Sequence, residues 1–555
     1  MEFHNINEIN TIVSEIPYVE IIEEFKKVDF YLEGKVAVLK IDGLSTSIEF
    51  VINIFPQYPL KHHQSESIKF INKDLIEYNH VMGDGSICIH TLHSPVLKKK
   101  INSDFDSLKE WIIKYYLNKD EDIHYEHIIV DEKVFDNDLY YSYQFTDLDY
   151  KFNKGDFGEV DLALLKKGVY KEKNINNYIV QSFQSKDGVK IECQWNSAYK
   201  NLNQNSMGVF LFIEDTPALN KRFAFSNWLD FEKYFPDKFL EFLYSFNITH
   251  IKKYPKAIVP IFIGYRTVKD EIHWLVSMCS MDNFPIMGVK EKNIWKSQLI
   301  DKKINWGISR NSSYKYLFGR GTFCEQITNS RILIIGVGAI GSIVAKTLVK
   351  SGARSIDLVD YDVKEPENVC RSEYQFSTGL TNKVDELTDS LFSNSPFVEV
   401  NIGKKEYFES IIKTFHREEE SKKDFEKVLS EYDVIFNCSA DSDLMYILSK
   451  LNFNCDLINL SITNHAKDLV CAFHPNIYRF VNNQFIDVLQ NDIDDLYNPT
   501  GCWSPTFRGS YNDINLLVQF ALKHINKKYK GNLKKNNFTL SVEEIDNLTI
   551  NLKEY

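Results

Sequence analysis

The sequence predicts a multidomain α/β protein in three parts: a small N-terminal α+β fold, a middle mixed α/β domain and a C-terminal doubly wound parallel sheet. At 555 residues the chain is too long for one ordinary hydrophobic core. The run RILIIGVGAIGSIVAKTLVKSGARSIDLVDYD has the pattern strand, glycine turn, helix, strand, which is typical of a parallel sheet. We place the three parts at residues 1–135, 136–315 and 316–555.

Composition narrows the classes of function. The chain has 65 Lys and Arg against 77 Asp and Glu, so its net charge is -12 and offers no general attraction to nucleic acid. We find no apolar run long enough to cross a bilayer, and the start MEFHNINEIN lacks the pattern of a signal peptide. We therefore expect a cytoplasmic protein that binds neither nucleic acid nor membrane.

The N-terminal part begins with an amphipathic pattern, INTIVSEIPYVEIIEEFKK, which predicts a helix. Three short runs rich in β-branched residues predict strands: KVAVLKI, TSIEFVINIF and ESIKFIN. The run DFDSLKEWIIKYYL predicts a second helix, with Asp104 as its N-cap. Together these elements indicate a small α+β unit.

The middle part carries no nucleotide or catalytic signature that we can identify. Five runs predict strands: YIVQSF, VKIECQW, MGVFLFIED, AIVPIFIGY and EIHWLVSMCS. One aromatic-rich run, NWLDFEKYFPDKFLEFLYSF, predicts a helix. We interpret this region as a mixed α/β scaffold.

The C-terminal part opens with a glycine turn between a predicted strand and a predicted helix. Gly336, Gly338 and Gly341 have the order G-x-G-x-x-G, so backbone amides can approach a phosphate at the start of the helix. Asp360 ends the next strand, where its carboxylate can accept hydrogen bonds from ribose hydroxyls. This much fits an NAD-dependent oxidoreductase as well as an ATP-binding enzyme.

Residues after Asp360 favour ATP. Arg371 and Lys383, the latter at the predicted start of a helix, supply cations, and ATP attacked at its α-phosphate needs cations and a metal to hold the developing charge. Asp441 follows the buried strand DVIFNCSA, where a carboxylate can hold Mg²⁺. The predicted ligands are therefore ATP and Mg²⁺.

With these residues in this order, roughly residues 316–525 resemble the Rossmann-like adenylation domain shared by ThiF and MoeB adenylyltransferases and ubiquitin-activating enzymes. The resemblance implies a ribose aspartate, a phosphate-contacting asparagine, arginine and lysine, and a metal aspartate at Asp360, Asn368, Arg371, Lys383 and Asp441. The family's upstream arginine corresponds to Arg320 or Arg310, and spacing does not decide between them. ThiF and MoeB proteins often carry paired C-x-x-C zinc motifs. Their absence from this sequence favours a protein-conjugation branch over a sulfur-carrier role.

Two of the nine cysteines are candidate nucleophiles. Cys502 stands in GCWSPTFRGS, a loop before a long helical pattern, where helix-terminal amides could stabilise a thiolate. The run resembles the crossover-loop cysteine of activating enzymes for ubiquitin-like proteins. The alternative is a cysteine packed within a loop.

Cys88 stands in HVMGDGSICIHTLHSP, just after a polar turn. Residues 10–125 resemble ubiquitin-conjugating enzymes, most firmly at YP and GSIC, so the resemblance implies that Cys88 is the conjugating thiol. His80 occupies the place of the asparagine in the His-Pro-Asn motif of eukaryotic relatives. It could stabilise an oxyanion, act as a base for the incoming amine, or only stabilise the loop. We interpret His90 and His93 as bystanders.

Both halves in one chain resemble the fused activating and conjugating enzymes of CBASS antiphage systems. That resemblance implies a homodimer, an inactive adenylation half in the middle part, and a cGAS-like nucleotidyltransferase as the conjugated protein in antiviral defence. The hypothesis is that a protein C-terminus ending in a small residue is adenylated, passes to Cys502 and Cys88 as thioesters, and reaches a target lysine as an isopeptide. The alternatives are a sulfur-carrier adenylyltransferase and a non-catalytic scaffold, with an NAD enzyme more distant.

Overall fold

Three sheets divide the chain into an N-terminal, a middle and a C-terminal segment. The structure is a computed structural model that describes residues 6–61, 65–120, 128–135, 138–220, 222–267, 270–291, 294–488, 509–543 and 547–555. Within these ranges the main sheets have four, eight and eight strands. The multidomain α/β class is therefore confirmed.

The N-terminal segment packs two helices on an antiparallel sheet whose strands follow in chain order. Its core is one cluster with residues from both helices and all four strands. Val13, Phe50 and Phe105 belong to this cluster and are each 0% exposed. The elements are α1 (Ile6–Ser14), β1 (Val19–Val28), β2 (Tyr31–Val38), β3 (Ile48–Ile54), β4 (Ile68–Ile71), a 3-10 turn (Lys73–Leu75) and α2 (Leu97–Trp111), which continues as a π-helix (Ile112–Leu117).

The helix predicted from INTIVSEIPYVEIIEEFKK is wrong in its second half. Helix α1 ends at Ser14, and β1 pairs antiparallel with β2. Pro17 cannot donate a helical hydrogen bond, so it separates the two elements. Asp29 has a φ of 49°, which allows the tight reversal into β2. Strand pairing therefore overrides the local helical pattern.

Asp104 is not the N-cap of its helix. Helix α2 begins seven positions earlier, at Leu97, and Asp104 is 0% exposed in its interior. Its carboxylate accepts hydrogen bonds from the Tyr58 hydroxyl at 2.7 Å and the Thr91 hydroxyl at 2.6 Å. A carboxylate that normally marks a helix start is tolerated here because buried partners surround it.

These partners belong to a buried charge cluster formed by Tyr58, Glu66, Thr91, Lys100 and Asp104. The Lys100 ammonium is 1% exposed and donates to Glu66 at 2.7 Å and to Asp104 at 2.5 Å. The Thr91 backbone N–H donates to Glu66 at 3.0 Å. Burial raises the pKa of Asp104 in spite of these hydrogen bonds. The cluster therefore holds the chain just after Cys88 to helix α2.

The middle segment is built on a mixed eight-stranded sheet, with β9 and β12 parallel and β6 antiparallel to both β7 and β9. Each of the five predicted strands overlaps an observed strand, although β8 covers only three of the seven residues of VKIECQW. The elements are β5 (Leu139–Phe145), β6 (Phe157–Tyr170), β7 (Lys173–Ser185), β8 (Lys190–Glu192), α3 (Ser197–Lys200), β9 (Gln204–Glu214), β10 (Ala218–Leu219), β11 (Phe223–Ala224), a 3-10 turn (Trp228–Phe231), α4 (Asp237–Ile251), β12 (Ile258–Arg266), β13 (Ile272–Ser280), a 3-10 turn (Met281–Asn283), β14 (Ile286–Glu291), β15 (Ile294–Leu299) and β16 (Ile308–Asn311).

The aromatic-rich helix is shorter than its sequence pattern predicts. Helix α4 starts at Asp237, and the earlier part of the run contains only the 3-10 turn. Pro236 is the N-cap residue of α4. Because its ring is incompatible with a helix interior, one helix cannot run through the whole predicted segment.

The C-terminal segment confirms the predicted Rossmann-type sheet. Five parallel strands have the spatial order β19-β18-β17-β20-β21, and antiparallel strands β22, β23 and β24 extend one side. The elements are α5 (Tyr314–Phe318), α6 (Glu325–Thr328), β17 (Arg331–Ile335), α7 (Ala339–Lys350), β18 (Ser355–Val359), 3-10 turns (Pro366–Arg371, Phe376–Thr378), α8 (Lys383–Asn394), β19 (Glu399–Ile402), α9 (Lys405–Thr414), α10 (Glu419–Leu429), β20 (Val434–Asn437), α11 (Ser442–Leu448), β21 (Asp456–Thr463), a 3-10 turn (Asn464–Ala466), β22 (Asp468–Phe473), α12 (Ile477–Val488), α13 (Tyr511–Lys530), β23 (Phe538–Glu543) and β24 (Thr549–Glu554).

The buried charge cluster predicts a local stability effect. Lys100→Met keeps the volume of the side chain but leaves two buried carboxylates without their shared cation. We expect the free energy of opening helix α2 to fall by about 3 kcal/mol or more. Hydrogen–deuterium exchange of peptides from Leu97–Trp111 measures this change.

Lys98→Met is the matched control on the same helix. Lys98 pairs with Glu15 at 2.7 Å, but both side chains are more than half exposed. Loss of the Lys98–Glu15 ion pair should lower the free energy of opening helix α2 by under about 1 kcal/mol. Equal effects of the two substitutions would contradict a structural role for the cluster.

Candidate functional site

The glycine turn after β17 is shaped by close backbone approach. Gly336 has a φ of 79°, and a Cβ there would lie 2.7 Å from the backbone nitrogen of Ser439. A Cβ on Gly341 would lie 1.9 Å from the carbonyl oxygen of Gly336. A Cβ on Gly338 would meet no protein atom within 4 Å. The first and third glycines therefore build the turn, whereas the second leaves an open side at the start of α7.

Asp360 joins the turn to the end of the neighbouring strand. Its two carboxylate oxygens accept hydrogen bonds from the backbone N–H groups of Val337 and Asp362, each at 2.8 Å. The side chain is half-buried at the carboxyl end of β18. Because β17, β18 and β20 are parallel neighbours, their carboxyl ends share one edge of the sheet, where such folds bind nucleotides.

Asp441 lies at the same edge, beyond the end of β20. One of its oxygens, Oδ1, accepts from the backbone N–H groups of Asp443 and Leu444, both at 2.9 Å, so Asp441 is the N-cap of α11. The pKa of Tyr361 is raised by burial and by the charges of Asp362, Asp441 and Asp360, which places these carboxylates near one ring. Among the described residues, no group of three or more His, Cys, Asp or Glu side chains is arranged to hold a metal.

The predicted phosphate-binding residues lie between β18 and α8. Lys383 is the first residue of α8, as the sequence predicts, and its ammonium pairs with Asp362 at 2.7 Å. This pair would have to open for Lys383 to reach a phosphate. Asn368 and Arg371 belong to the 3-10 turn at Pro366–Arg371.

Asn368 has a structural partner in this turn, since its amide oxygen accepts the backbone N–H of Glu365 at 2.9 Å. The two upstream arginines differ in environment. Both side chains are exposed, and Arg310 pairs with Glu132 at 2.7 Å, whereas Arg320 lies just after α5.

Cys88 ends a short hairpin around the Gly-Asp-Gly turn. Val81 and Ile87 form an antiparallel bridge, and the Cys88 backbone N–H donates to the His80 carbonyl at 2.7 Å. The thiol is half-buried. Burial raises the pKa of Cys88, and the charge of Arg222 acts in the opposite direction.

Two histidines lie near Cys88 in different ways. The Nε2 of His90, which the sequence analysis interprets as a bystander, lies 3.6 Å from the Cys88 sulfur. The spacing of Cys88 and His90 in the sequence could have indicated this contact, since residues i and i+2 of an extended chain share a face. His80 has a φ of 62°, and its ring centroid lies 4.8 Å from that of Tyr115.

Three other cysteines are less suited than Cys88 to act as nucleophiles. Cys193, Cys279 and Cys471 are buried, and burial raises the pKa of each. Cys502 lies outside the described residues, so its position is not part of the structure. The long helix predicted after it is α13.

Across the described ranges, no helix combines the length and apolar character needed to cross a membrane.

Comparison with known proteins gives a family match in the C-terminal segment. Residues 310–459 match the ThiF family. The chain is 25% identical over 311 residues to the ATP-dependent ubiquitin transferase-like protein Cap2 of Enterobacter hormaechei subsp. hoffmannii, covering 52% of this chain and 50% of that protein. It is 27% identical over 136 residues to Cap2 of Pseudomonas aeruginosa, covering 21% and 24% of the two chains.

A third relative is the ubiquitin-like modifier-activating enzyme 5 of Caenorhabditis briggsae, 35% identical over 78 residues, which are 14% of this chain and 18% of that protein. A solved structure of E. coli MccB with ATP is 15% identical over 41% of this chain and 65% of that chain. Its TM-score is 0.28, which is too low to carry an argument.

The chain thus spans half the length of the Enterobacter relative and less of the others. The predicted resemblance to fused, ubiquitin-activating-like bacterial enzymes is confirmed at the level of sequence. Residues 310–459 match the ThiF family, within a chain that is similar to the Cap2 ubiquitin transferase-like proteins.

Proposed function

We propose that this chain activates the C-terminal carboxylate of a protein with ATP and joins it, through two thioesters, to a target lysine. One observation carries the proposal: the open side of Gly338 faces the helix start at a sheet edge that also holds Asp360 and Asp441. The segments at 1–135, 136–315 and 316–555 are the proposed conjugating, scaffold and adenylation units.

The adenylation step needs a site that binds phosphates and orients a carboxylate. The open side of Gly338 fits a phosphate group, because only there does the turn leave room at the helix N-terminus. Asp360 would accept the ribose hydroxyls. Attack by the protein carboxylate on the α-phosphorus forms an acyl-adenylate and releases pyrophosphate, while Arg371 and Lys383 hold the charge that spreads over the phosphate oxygens.

Asp441 is the proposed Mg²⁺ ligand. Its Oδ1 is used by the helix cap, and among the described residues Oδ2 accepts no protein hydrogen bond. A magnesium ion bound there would neutralise part of the phosphate charge. Asn368 and Arg320 would complete the nucleotide site.

The thioester steps follow from the chemistry of the acyl-adenylate. The Cys502 thiolate attacks the activated carbonyl carbon, and the C–O bond to AMP breaks. The Cys88 thiolate then takes the acyl group from Cys502, which regains a thiol. Such an exchange is close to balanced in free energy, so access to the sulfur decides the rate.

A lysine amine finally attacks the Cys88 thioester, loses a proton and forms an isopeptide bond, which frees the thiol. His90 is the proposed proton acceptor, because its Nε2 is within reach of the sulfur. His80 shapes the loop through its backbone and aromatic contact. Antiviral conjugation of a cGAS-like nucleotidyltransferase by a cytoplasmic homodimer stays a prediction that rests on the resemblance to the enzymes of CBASS systems.

Two substitutions in the glycine turn should have different effects, one on nucleotide binding and one on stability. Gly338→Val should abolish ATP–pyrophosphate exchange without unfolding the sheet, because its side chain would fill space that a phosphate needs and that no protein atom occupies. Gly336→Ala should instead destabilise the segment by about 1–3 kcal/mol, since its conformation and the nearby Ser439 backbone exclude a Cβ. Exchange assays and thermal unfolding measure both effects.

Asp441→Asn is a third variant in the same assay. Asparagine caps a helix as well as aspartate does, so stability should change by under about 1 kcal/mol while exchange falls sharply. Exchange at the wild-type rate in Gly338→Val would exclude this turn as the nucleotide site. The same result in Asp441→Asn would exclude the metal role alone.

The order of the two thiols is tested by intact mass spectrometry with Mg-ATP and a protein that ends in glycine. Cys502→Ala should support pyrophosphate exchange but form no thioester. Cys88→Ala should carry an acyl group on Cys502 and give no conjugate. A thioester on Cys88 in Cys502→Ala would refute the relay order, and undiminished conjugation by Cys88→Ala would remove Cys88 from the pathway.

The two histidines are separated by measuring thioester formation and aminolysis in turn. We expect His90→Gln to slow aminolysis by about 10²-fold or more, as for loss of a general base, with little change in thioester formation. His80→Asn is the matched variant, since asparagine tolerates a positive φ. Slower aminolysis in His80→Asn but not in His90→Gln would reverse the assignment.

A further inference from the structure

The chain segment before Cys88 contacts an arginine from outside its own sheet. Arg222 belongs to the middle segment and is 4% exposed. Its Nη1 donates hydrogen bonds to the carbonyl of Val81 at 2.8 Å and to the carbonyl of Tyr78 at 3.1 Å. A cation of the middle segment is therefore buried against the loop of the candidate thiol.

The backbone of Arg222 is fixed independently of these hydrogen bonds. Strands β10 and β11 form a small hairpin next to it. Its carbonyl accepts the N–H of Ile129 at 2.7 Å, and the N–H of Ala224 donates to the Ile129 carbonyl at 3.0 Å. A Cβ on Gly83 would lie 3.6 Å from the Phe223 ring. The hairpin therefore holds Arg222 against the turn that precedes Cys88.

Four consecutive backbone carbonyls of this loop, from Tyr78 to Val81, each accept a hydrogen bond. Arg222 serves those of Tyr78 and Val81, the Trp111 indole N–H donates to Asn79 at 2.8 Å, and the Cys88 N–H donates to His80 at 2.7 Å. Two of the four donors thus come from one guanidinium. Its removal would leave two carbonyls without these donors beside a residue, His80, that already has a positive φ.

The guanidinium also acts on the thiol through its charge. Burial raises the pKa of Cys88, and the charge of Arg222 acts to lower it. A guanidinium keeps its charge throughout the physiological pH range. A lysine in its place would keep the charge but lose the planar arrangement of donors.

We propose that Arg222 is a positioning residue for Cys88, which holds the loop before the thiol in its observed form through its hydrogen bonds to Tyr78 and Val81. The middle segment then completes the conjugating unit, in addition to any part in adenylation. The inference deepens the proposed function and rests on it for its biological meaning. The reactivity of the Cys88 thiol can be measured whether or not the protein has the proposed function.

The experiment compares the alkylation of Cys88 by iodoacetamide in the full-length wild type and in Arg222→Gln, across pH 6–10, by peptide mass spectrometry. Cys88 is the sole cysteine in its tryptic peptide, residues 74–98, and Cys370 is the sole cysteine in residues 365–371. We expect alkylation of Cys88 at pH 7 to fall about threefold or more, with an upward shift of its pH midpoint, because only the thiolate reacts. Alkylation of Cys370 should be unchanged.

Two further variants separate charge from structure. Arg222→Lys retains the charge but not the two hydrogen bonds to Tyr78 and Val81, so its reactivity should fall between those of the wild type and Arg222→Gln. Arg266→Gln is the matched control, because Arg266 is a partly buried arginine whose partners Glu214 and Asp270 lie within the middle segment. An unchanged pH midpoint in Arg222→Gln, or an equal loss in Arg266→Gln, would overturn the proposal.

Arg222→Lys decides the question if Arg222→Gln does not fold. Wild-type alkylation of Cys88 across the pH range in this variant would overturn the proposal, because loss of the hydrogen bonds to Tyr78 and Val81 would then have no effect on the thiol. Because the assay needs neither ATP nor a protein substrate, its result is independent of whether the thioester relay exists.

Discussion

The close approach of the Gly336 turn to the end of β20 is the constraint on which the nucleotide region depends. The backbone of Gly336 lies so near Ser439 that no side chain fits between them. That approach brings the first strand of the parallel sheet, its glycine turn and the residues after β20 to one edge. Asp360 then ties the turn to β18 through the Val337 N–H. The position of Asp441 is a consequence of this packing, because it caps the helix that follows β20.

A different kind of constraint shapes the surroundings of Cys88. Its loop is not held by apolar packing alone, since the chain on both sides of the cysteine has assigned polar partners. The carbonyls before it accept hydrogen bonds from Arg222, Trp111 and Cys88 itself. The chain after it is held to the buried Lys100 cluster through Thr91. Buried polar networks of this kind favour one conformation when all members are satisfied. A thiol in such a loop can be half-exposed and still fixed in direction.

The sequence determined the features that depend on local pattern. The βαβ unit, the start of α8 at Lys383 and the strands of the middle segment follow from periodicity and glycine placement, and the structure confirms them. The family match at 310–459 covers all of the residues predicted to bind ATP and Mg²⁺. Where a local pattern was ambiguous the prediction was wrong. The segment Val19–Val28 has helical spacing but pairs as a strand, and Asp104 resembles a cap but is a buried partner of Lys100.

Only the tertiary structure decided which residues meet across distant parts of the chain. No spacing in the sequence relates Arg222 to Tyr78 and Val81, because their contact depends on how two segments dock. The same holds for Arg310, whose pairing with Glu132 distinguishes it from Arg320. The sequence by itself determined the turn, the strands and the candidate thiols, since short-range sterics and periodicity are written in neighbouring residues. Tertiary packing decided their partners, since hydrogen bonds and charges act through space and not along the chain.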